Sequence, residues 1–267
     1  MMSNAPLVFA HRGSSAAAPE HTREAYQLAL SDGADGLECD VRLTRDGHLV
    51  CLHDRRVERT SDGRGVVSRS TLGELRELDF GSRRSAAGRS ARARLGRSWV
   101  LTLDQLLELA AGAGRQIELL VETKHPTRFG GRVEAALCAT LRRHGLAHQT
   151  PDSPVRVTVM SFSMLAVRRI HRATPMLPTA LLMDVVPPGM RGGGLPFGVP
   201  VAGPSIRLLR AHPELVGRLR ARGRRLYVWT VNDPEDLDLV VDLGIDGVIS
   251  DRPAEVISRL RARGLRA

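Results

Sequence analysis

Short apolar runs alternate with amphipathic segments along most of this chain. Apolar runs rich in β-branched residues predict buried strands, and apolar residues spaced about three to four positions apart predict helices. In a chain of 267 residues, repeated strand–helix alternation favours a (β/α)8 TIM barrel over an open doubly wound sheet. Nine strand candidates exceed the eight places of such a barrel, so one is misplaced or belongs to a hairpin. The candidates span residues 8–11, 36–41, 49–52, 117–121, 155–160, 179–183, 200–205, 226–231 and 247–250.

Capping residues mark the expected helix starts. Thr22 precedes a segment with an apolar face, and Thr102 with Gln105 matches a capping box. Asp233 followed by Pro234 predicts another start, with the aspartate as the cap. The helices are expected over residues 22–31, 71–78, 102–111, 131–144, 163–172 and 213–222, and from 234 and 253 onward.

Two segments interrupt the regular alternation. The tripeptide at 45–47 is a turn signal between two apolar runs and is too short for a crossover helix. We therefore expect a hairpin that returns His53 to the level of Glu38. Residues 55–100 are expected to form a small insertion, in which the arginine-rich run 82–98 is a surface loop. With this insertion, the whole chain is predicted to form a single barrel domain.

The formal net charge of +10 is carried mostly by arginine. It fits attraction to anionic substrates or to a membrane surface, or a solvated arginine-rich surface. Nucleic acid is not an expected partner, because the basic residues are dispersed and aromatic residues make up only 3% of the chain. No stretch approaches the roughly 20 apolar residues of a membrane span, so peripheral membrane contact stays open and stable insertion is not expected.

The N-terminus and the cysteines bear on the compartment. Residues 1–6 contain no basic segment followed by a long apolar stretch, so a secretory signal is not expected. Cys39, Cys51 and Cys138 lack metal-ligand spacing and cannot all pair, which argues against a disulfide framework. Cys39 and Cys51 lie in apolar runs and are interpreted as small buried side chains. We expect a cytoplasmic protein, and the sequence carries no signal for an oligomeric state.

Ionisable side chains stand where several predicted strands end. Glu38 and Asp40 alternate along one strand, so they point to the same face. Glu122 and Lys124 form a second alternating pair after another apolar run. In a barrel, these strand ends meet at the mouth that holds the active site. Converging carboxylates suit Mg²⁺ or Ca²⁺, and together with basic groups and two histidines they predict a phosphate-ester site.

A series of polar motifs runs through nearly the whole chain. They are His11-Arg12-Gly13, Pro19-Glu20-His21-Thr22, Glu38-Cys39-Asp40-Val41, Thr44-Arg45-Asp46-Gly47, His53-Asp54, Arg59-Thr60-Ser61-Asp62-Gly63, Thr102-Leu103-Asp104, Glu122-Thr123-Lys124, Ser161-Phe162-Ser163, Trp229-Thr230-Val231-Asn232 and the segment 244–251. In this order they resemble the signature of the glycerophosphodiester phosphodiesterases, a family of TIM barrels. The family usually has Asn where this chain has His21. The resemblance implies metal-dependent hydrolysis of glycerophosphodiesters, which are deacylated phospholipids, to sn-glycerol 3-phosphate and an alcohol.

The resemblance also implies roles for individual residues. His11 and His53 are the expected acid–base pair, since a departing alkoxide must be protonated while the nucleophile loses its proton. Arg12 and Lys124 are expected to bind non-bridging phosphate oxygens, to pair with nearby carboxylates, or both. The expected ligands of the divalent cation, Mg²⁺ or Ca²⁺, are Glu38, Asp40 and Glu122.

Two supporting residues and three other functions stay open. Glu20 is expected to orient Arg12 or a metal ligand, or to be an acid at a helix start. Trp229 is expected to form an apolar wall for the alcohol, or to pack in the core. The alternative enzyme is a lysophospholipase D-like or sphingomyelinase D-like lipid phosphodiesterase of the same barrel type. The remaining alternatives are a catalytically silent barrel that binds phosphorylated ligands and a basic protein of the membrane surface.

Overall fold

Eight parallel strands close into a barrel, and a ninth strand is attached at its rim. The computed structural model describes residues 5–81 and 97–266. Within these residues, the strands are β1 Leu7–His11, β2 Gly36–Leu43, β3 Leu49–Cys51, β4 Ile117–Thr123, β5 Val155–Ser161, β6 Thr179–Met183, β7 Val201–Pro204, β8 Arg225–Val228 and β9 Gly247–Ser250. Around the barrel the order is β1-β2-β4-β5-β6-β7-β8-β9, and β9 pairs back with β1. The predicted (β/α)8 TIM barrel is confirmed, and the surplus strand candidate is β3.

Helices cover the outside of the barrel at most of the predicted places. The helices of the described residues are α1 Arg23–Ser31, α2 Leu72–Arg76, α3 Leu103–Ala111, α4 Arg132–Arg143, α5 Met164–Ala173, α6 Ile206–Ala211, α7 Leu215–Arg220, α8 Pro234–Asp242 and α9 Pro253–Ala262. Thr22 caps α1, with its hydroxyl accepting from the Ala25 amide at 3.2 Å. Thr102 and Gln105 form the expected capping box at α3. These caps satisfy amide groups that a helix start leaves without a partner.

Three local predictions were wrong. The helix expected over 213–222 is the shorter α7, and α6 before it was not expected at all. At six residues, α6 is too short for a periodic apolar pattern, and the capping Ser205 was its main signal. The strand expected over 226–231 ends three residues earlier, where only an isolated bridge to Ser205 continues the pairing. By contrast, the helix start predicted at Asp233 and Pro234 is confirmed, since Asp233 occupies the N-cap position of α8, although its side chain makes no capping hydrogen bond.

The predicted hairpin is present and carries the insertion. β2 and β3 pair antiparallel with Val41 opposite Cys51, and the turn between them uses Gly47 at φ 89°. One apolar cluster joins β3 to the insertion, so the insertion is anchored on this hairpin. Its buried members are Val50, Leu52, Val57, Val67, Leu72, Leu75, Phe80 and Val100. The arginine-rich run 82–98 lies outside the described residues apart from Arg97 and Ser98.

Apolar side chains fill the barrel and the space between the barrel and its helices. The inner cluster contains Phe9, Leu120, Met160, Ala180, Leu182, Val201, Tyr227 and Ile249. Gly36 makes room for the Phe9 ring, because a Cβ there would lie 2.4 Å from the Glu118 carbonyl oxygen and 2.6 Å from that ring. Close packing of this kind sets the relative heights of neighbouring strands, and therefore the level of the barrel mouth.

Two further expectations concern buried cysteines and the membrane. Cys39 and Cys51 are 0% and 1% exposed, which confirms that they are small buried side chains. Among residues 5–81 and 97–266, no helix has the length and apolar character needed to cross a membrane. The cytoplasmic location and the single-domain organisation stay predictions.

Candidate active site

A cleft of about 690 Å³ opens at the C-terminal mouth of the barrel. The strand register sets the height of its residues, because His11 pairs with Glu38 and Asp40 pairs with Glu122. One wall of the cleft carries ionisable side chains, and the opposite wall is mainly apolar. The first wall contains His11, Arg12, Glu38, His53, Glu122 and Lys124. The second contains Met160, Phe162, Leu182, Trp229 and Ile249, with Asp184 and Thr230 beside them.

Glu38 and Asp40 lie in the middle of their strand. The expectation that the ionisable side chains stand where their strands end was therefore wrong for these two residues. β2 continues to Leu43 because β3 pairs with its last residues. Both carboxylates still lie at the mouth, since the neighbouring strands β1 and β4 end close to their level.

Three buried carboxylates converge on one point of the cleft. Glu38, Asp40 and Glu122 each offer an oxygen within 4.8 Å of the others, and they are 2%, 1% and 7% exposed. Burial, and next the charge of Asp40, raise the pKa of Glu38 well above its usual range and that of Glu122 to about 7. Carboxylates that repel each other in this way fit a hard divalent cation such as Mg²⁺ or Ca²⁺.

Arg12 and Lys124 pair with these carboxylates. Arg12 Nε lies 3.1 Å from Asp40 Oδ2, and Lys124 Nζ lies 2.7 Å from Glu122 Oε1 and 3.3 Å from Asp40 Oδ1. Burial alone would raise the pKa of Asp40, but His21, Arg12 and Lys124 hold it well below its usual range. Both cations also line the cleft. The carboxylate pairing expected for them is present, and contact with phosphate stays a prediction.

The backbone at Arg12 is unusual. Arg12 and Gly13 both adopt left-handed conformations, with φ 59° and 86°. A Cβ at Gly13 would lie 2.6 Å from the Ala25 carbonyl carbon in α1, so this turn requires glycine. The turn directs the Arg12 amide at Glu38 Oε2, 3.1 Å away. Strained residues of this kind concentrate at functional sites, and here the strain aims both backbone and side chain of Arg12 at carboxylates.

His11 is held by the carboxylate of Asp251, which directly follows β9. Its Nδ1 lies 2.6 Å from Asp251 Oδ1, which leaves Nε2 toward the cleft, 4.0 Å from Glu38 Oε2. Asp251 is itself fixed, because Asn232 Nδ2 donates to its Oδ2 at 2.7 Å and Ser15 Oγ donates to its Oδ1 at 2.9 Å. Burial would raise the pKa of Asp251, but the hydrogen bonds from these three side chains lower it. Asp251 is therefore an ionised partner of His11.

His53 has a matching partner. Its Nδ1 lies 2.7 Å from Asp54 Oδ1, and burial lowers the pKa of His53. Asp54 Oδ2 accepts from Arg59 Nε at 2.5 Å, and Arg59 in turn donates to Glu20. Glu20 Oε1 also accepts from Arg12 Nη1 at 3.1 Å, as the interpretation of Glu20 as an orienting residue requires. Burial opposes ionisation of Glu20, but the Arg59 hydrogen bond lowers its pKa to about 2.

His21, the departure from the usual family residue, lies directly behind the carboxylates. Its Nε2 is 2.9 Å from Asp40 Oδ2, and its Nδ1 is 2.8 Å from the Tyr26 hydroxyl. The Tyr26 oxygen also lies 3.1 Å from the Glu38 carbonyl oxygen. His21 is 3% exposed, so it is a buried support for Asp40.

Trp229 forms part of the apolar wall. Its ring meets Phe162 edge to face with centroids 5.4 Å apart, and its indole Nε1 donates to the Gly203 carbonyl at 2.7 Å. The indole is thus fixed in orientation and presents an apolar surface opposite the ionisable wall. Contact between Trp229 and an alcohol stays a prediction.

Sequence reasoning missed the partners of both histidines. It assigned no role to Asp251 or Asp54, and it did not connect Asn232 with Asp251. A signal was available for Asp251, because it directly follows a buried strand in the same way as other polar residues of the mouth. No local signal connects Asp251 to His11, since the two are 240 residues apart and only barrel closure brings them together.

Known proteins resemble this chain over nearly its whole length. The profile of the Glycerophosphoryl diester phosphodiesterase family matches residues 11–255. The chain is 46% identical over 253 residues to "Probable glycerophosphodiester phosphodiesterase 1" of Mycobacterium tuberculosis, covering 95% of this chain and 92% of that protein. It is 33% identical over 253 residues to glycerophosphodiester phosphodiesterase of Bacillus subtilis, covering 92% of this chain and 84% of that protein. Its structure resembles that of an Oleispira antarctica phosphodiesterase in complex with the product sn-glycerol-3-phosphate. The TM-score is 0.80 and the sequence identity is 25%, and the match covers 96% of this chain and 97% of the Oleispira chain.

The closed barrel and its relatives define a TIM-barrel phosphoric diester hydrolase. The chain belongs to the glycerophosphodiester phosphodiesterase family. The family membership expected from the motifs is confirmed.

Proposed function

We propose that this protein hydrolyses glycerophosphodiesters to sn-glycerol 3-phosphate and an alcohol, using a divalent cation and two histidines. The observation that carries the proposal is the arrangement of the two imidazoles. Each has Nδ1 beside a carboxylate, and both line the cleft in which three carboxylates converge. Family membership supports the reaction class, and the related Oleispira protein is in complex with the proposed product.

Glu38, Asp40 and Glu122 are the proposed ligands of the cation. A bound Mg²⁺ or Ca²⁺ supplies charge that polarises the phosphate and offsets repulsion among the carboxylates. Arg12 and Lys124 lie beside these ligands and are proposed to bind the non-bridging phosphate oxygens. Their ion pairs with the carboxylates hold both cations at the cleft before substrate arrives.

His11 and His53 are proposed to move the protons. With Nδ1–H donated to Asp251 or Asp54, each neutral imidazole has a free Nε2 that can accept a proton, and the protonated form can return one. One histidine accepts the proton of the attacking hydroxyl or water, and the other donates a proton to the departing alcohol oxygen. The lowered pKa of His53 favours its neutral form, which is the form that acts as a base.

Glu20 and Trp229 are proposed to support the reaction without transferring a proton or binding the cation. Glu20 contacts both Arg12 and Arg59, so it is proposed to fix the Arg12 guanidinium against the cleft. Trp229 and Phe162 are proposed to form an apolar surface against the alcohol.

The test is hydrolysis of glycerophosphocholine and glycerophosphoethanolamine, with and without chelator. We expect turnover that chelator stops and Mg²⁺ or Ca²⁺ restores. His11→Ala and Glu38→Ala are expected to abolish it, whereas the exposed matched controls His171→Ala and Glu235→Ala are expected to retain it. Chelator-resistant turnover would contradict the role of the cation. Absence of turnover by folded, metal-loaded protein would contradict the proposed substrates.

A further inference from the structure

A basic depression lies beside the candidate active site. It is a shallow depression open to solvent, and it is lined by Arg42, Arg55, Arg128 and Lys124, with the hydroxyl-bearing Ser68 and Thr127. Lys124 lines both this depression and the catalytic cleft, so the two spaces adjoin. Apart from Lys124, no residue with a proposed role in the reaction lines the depression.

The extension of β2 beyond the barrel mouth places Arg42 here. Residues two apart in a strand point to the same face, so Arg42 follows Glu38 and Asp40 on the active-site side of β2. Arg42 Nε and Nη2 donate to the His53 carbonyl oxygen at 2.8 and 2.6 Å. Arg42 is thus fixed next to a proposed catalytic histidine.

The positive charge of the depression is only partly compensated, because Lys124 pairs with Glu122 and Asp40 and the charges of Asp40 and Asp54 act on Arg42, whereas Arg55 and Arg128 form no ion pair among the described residues. Around the cleft, Arg12, Arg59 and Lys124 all pair with carboxylates. By contrast, no acidic side chain of the described residues lines the depression. Arg55 and Arg128 are exposed, and neither has a carboxylate partner among the residues that the structure describes. Concentrated cations and hydroxyl groups without acids are the arrangement that binds a phosphate or carboxylate.

We propose that this depression is a subsite for a second anionic group, carried by the alcohol part of the substrate. The inference rests on the proposed function, because the scissile phosphate must occupy the adjoining cleft. With that phosphate at Lys124, the alcohol of such a substrate extends past Lys124 toward the arginines, and its glycerol part faces Trp229 and Phe162 in place of the alcohol. The preferred substrate class is therefore a glycerophosphodiester whose alcohol bears a further phosphodiester or carboxylate.

A matched pair of substrates tests the subsite. Glycerophosphoglycerol has an uncharged alcohol, and bis(glycerophospho)glycerol has the same alcohol with a second phosphodiester. We expect kcat/KM to be higher for the second compound by more than the factor of about two that its two equivalent bonds provide. Arg55→Gln and Arg128→Gln are expected to reduce the ratio of the two kcat/KM values by about threefold to tenfold each. Arg172→Gln removes one charge from an exposed position elsewhere and is expected to retain the ratio.

Equilibrium binding separates failure of the subsite from failure of the proposed function. If neither compound is hydrolysed, calorimetric titration of both into the protein still reports the preference. Tighter binding of bis(glycerophospho)glycerol that Arg128→Gln weakens would support the subsite without turnover. Equal binding of the two compounds, or a preference that both variants retain, would overturn it. Sedimentation with phosphatidylglycerol vesicles that depends on Arg55 and Arg128, without any substrate preference, would also overturn it in favour of a lipid-surface contact.

Discussion

Replacement of Asp251 by asparagine is expected to move the proton of the neutral His11 imidazole from Nδ1 to Nε2. In Asp251→Asn, the new amide keeps its oxygen toward the Asn232 NH₂ group, which donates to Asp251 Oδ2 at 2.7 Å. Its own NH₂ group then faces His11 Nδ1, which now lies 2.6 Å from Asp251 Oδ1. His11 must consequently carry its proton on Nε2. A neutral imidazole in this tautomer can no longer accept a proton from the cleft.

The geometry sets the size of the effect. The 2.6 Å contact joins an imidazole to an ionised carboxylate. Loss of a charge-assisted hydrogen bond costs about 1.5–3 kcal/mol, which corresponds to about 10- to 150-fold in rate. The wrong tautomer adds to this loss, because the same change in a histidine–aspartate pair of serine proteases lowers kcat by about 10⁴-fold. We therefore expect a decrease of about 10²- to 10⁴-fold in kcat.

The assay is steady-state hydrolysis of glycerophosphocholine at saturating cation across a range of pH. Asp246→Asn is the matched control, because Asp246 accepts from the Leu226 amide at 2.8 Å just before β9, at the opposite end of that strand. Thermal unfolding verifies that both variants fold. A kcat for Asp251→Asn within about twofold of the unchanged enzyme would refute the reasoning, since Asp251 would then not set the proton position of a catalytic His11.

Three further predictions concern stability and cation binding. In chelated protein, the free energy of unfolding relative to that of Glu122→Gln should fall as pH rises from about 4.5 to about 7, because the folded state retains a proton on Glu122. The lowered pKa values of His21 and His53 act in the opposite direction in both proteins, so they cancel in this difference. Urea unfolding in which the difference does not fall, or falls equally at saturating Ca²⁺, would contradict the prediction. Gly36→Ala should lower the free energy of unfolding by at least about 1–3 kcal/mol through overpacking, whereas Gly217→Ala, in an open helix position, should not. His21→Ala should weaken cation binding about 10- to 100-fold in calorimetric titration, and unchanged affinity would exclude support of Asp40 by His21.

Local sequence rules predicted where Glu38, Asp40 and His53 lie, but not the strand pairing and side-chain contacts around them. Glu38 and Asp40 were expected to share a face because strand alternation is a local rule, and they do converge. The position of both residues in mid-strand was not foreseen, since strand length there depends on pairing with β3. His53 was expected near the carboxylates from the hairpin alone, and it does line the same cleft. Its bond to Asp54 was missed because side-chain direction at the end of a hairpin has no sequence signal.

The sequence by itself determined the barrel, the hairpin and the family. Apolar periodicity and turn residues act over a few positions, so they are readable without knowledge of distant contacts. The order of the motifs from His11 to the segment ending at Asp251 was sufficient to indicate the family.

Only the tertiary structure decided which charges meet. The Asp251–His11 bond, the chain from Asp54 through Arg59 to Glu20, and the basic depression all join segments distant in sequence. Their distances depend on barrel closure and on strand register, which arise from packing of the whole core. Electrostatic interactions change steeply with distance and burial, so the pairing of these side chains becomes definite only when the barrel is closed.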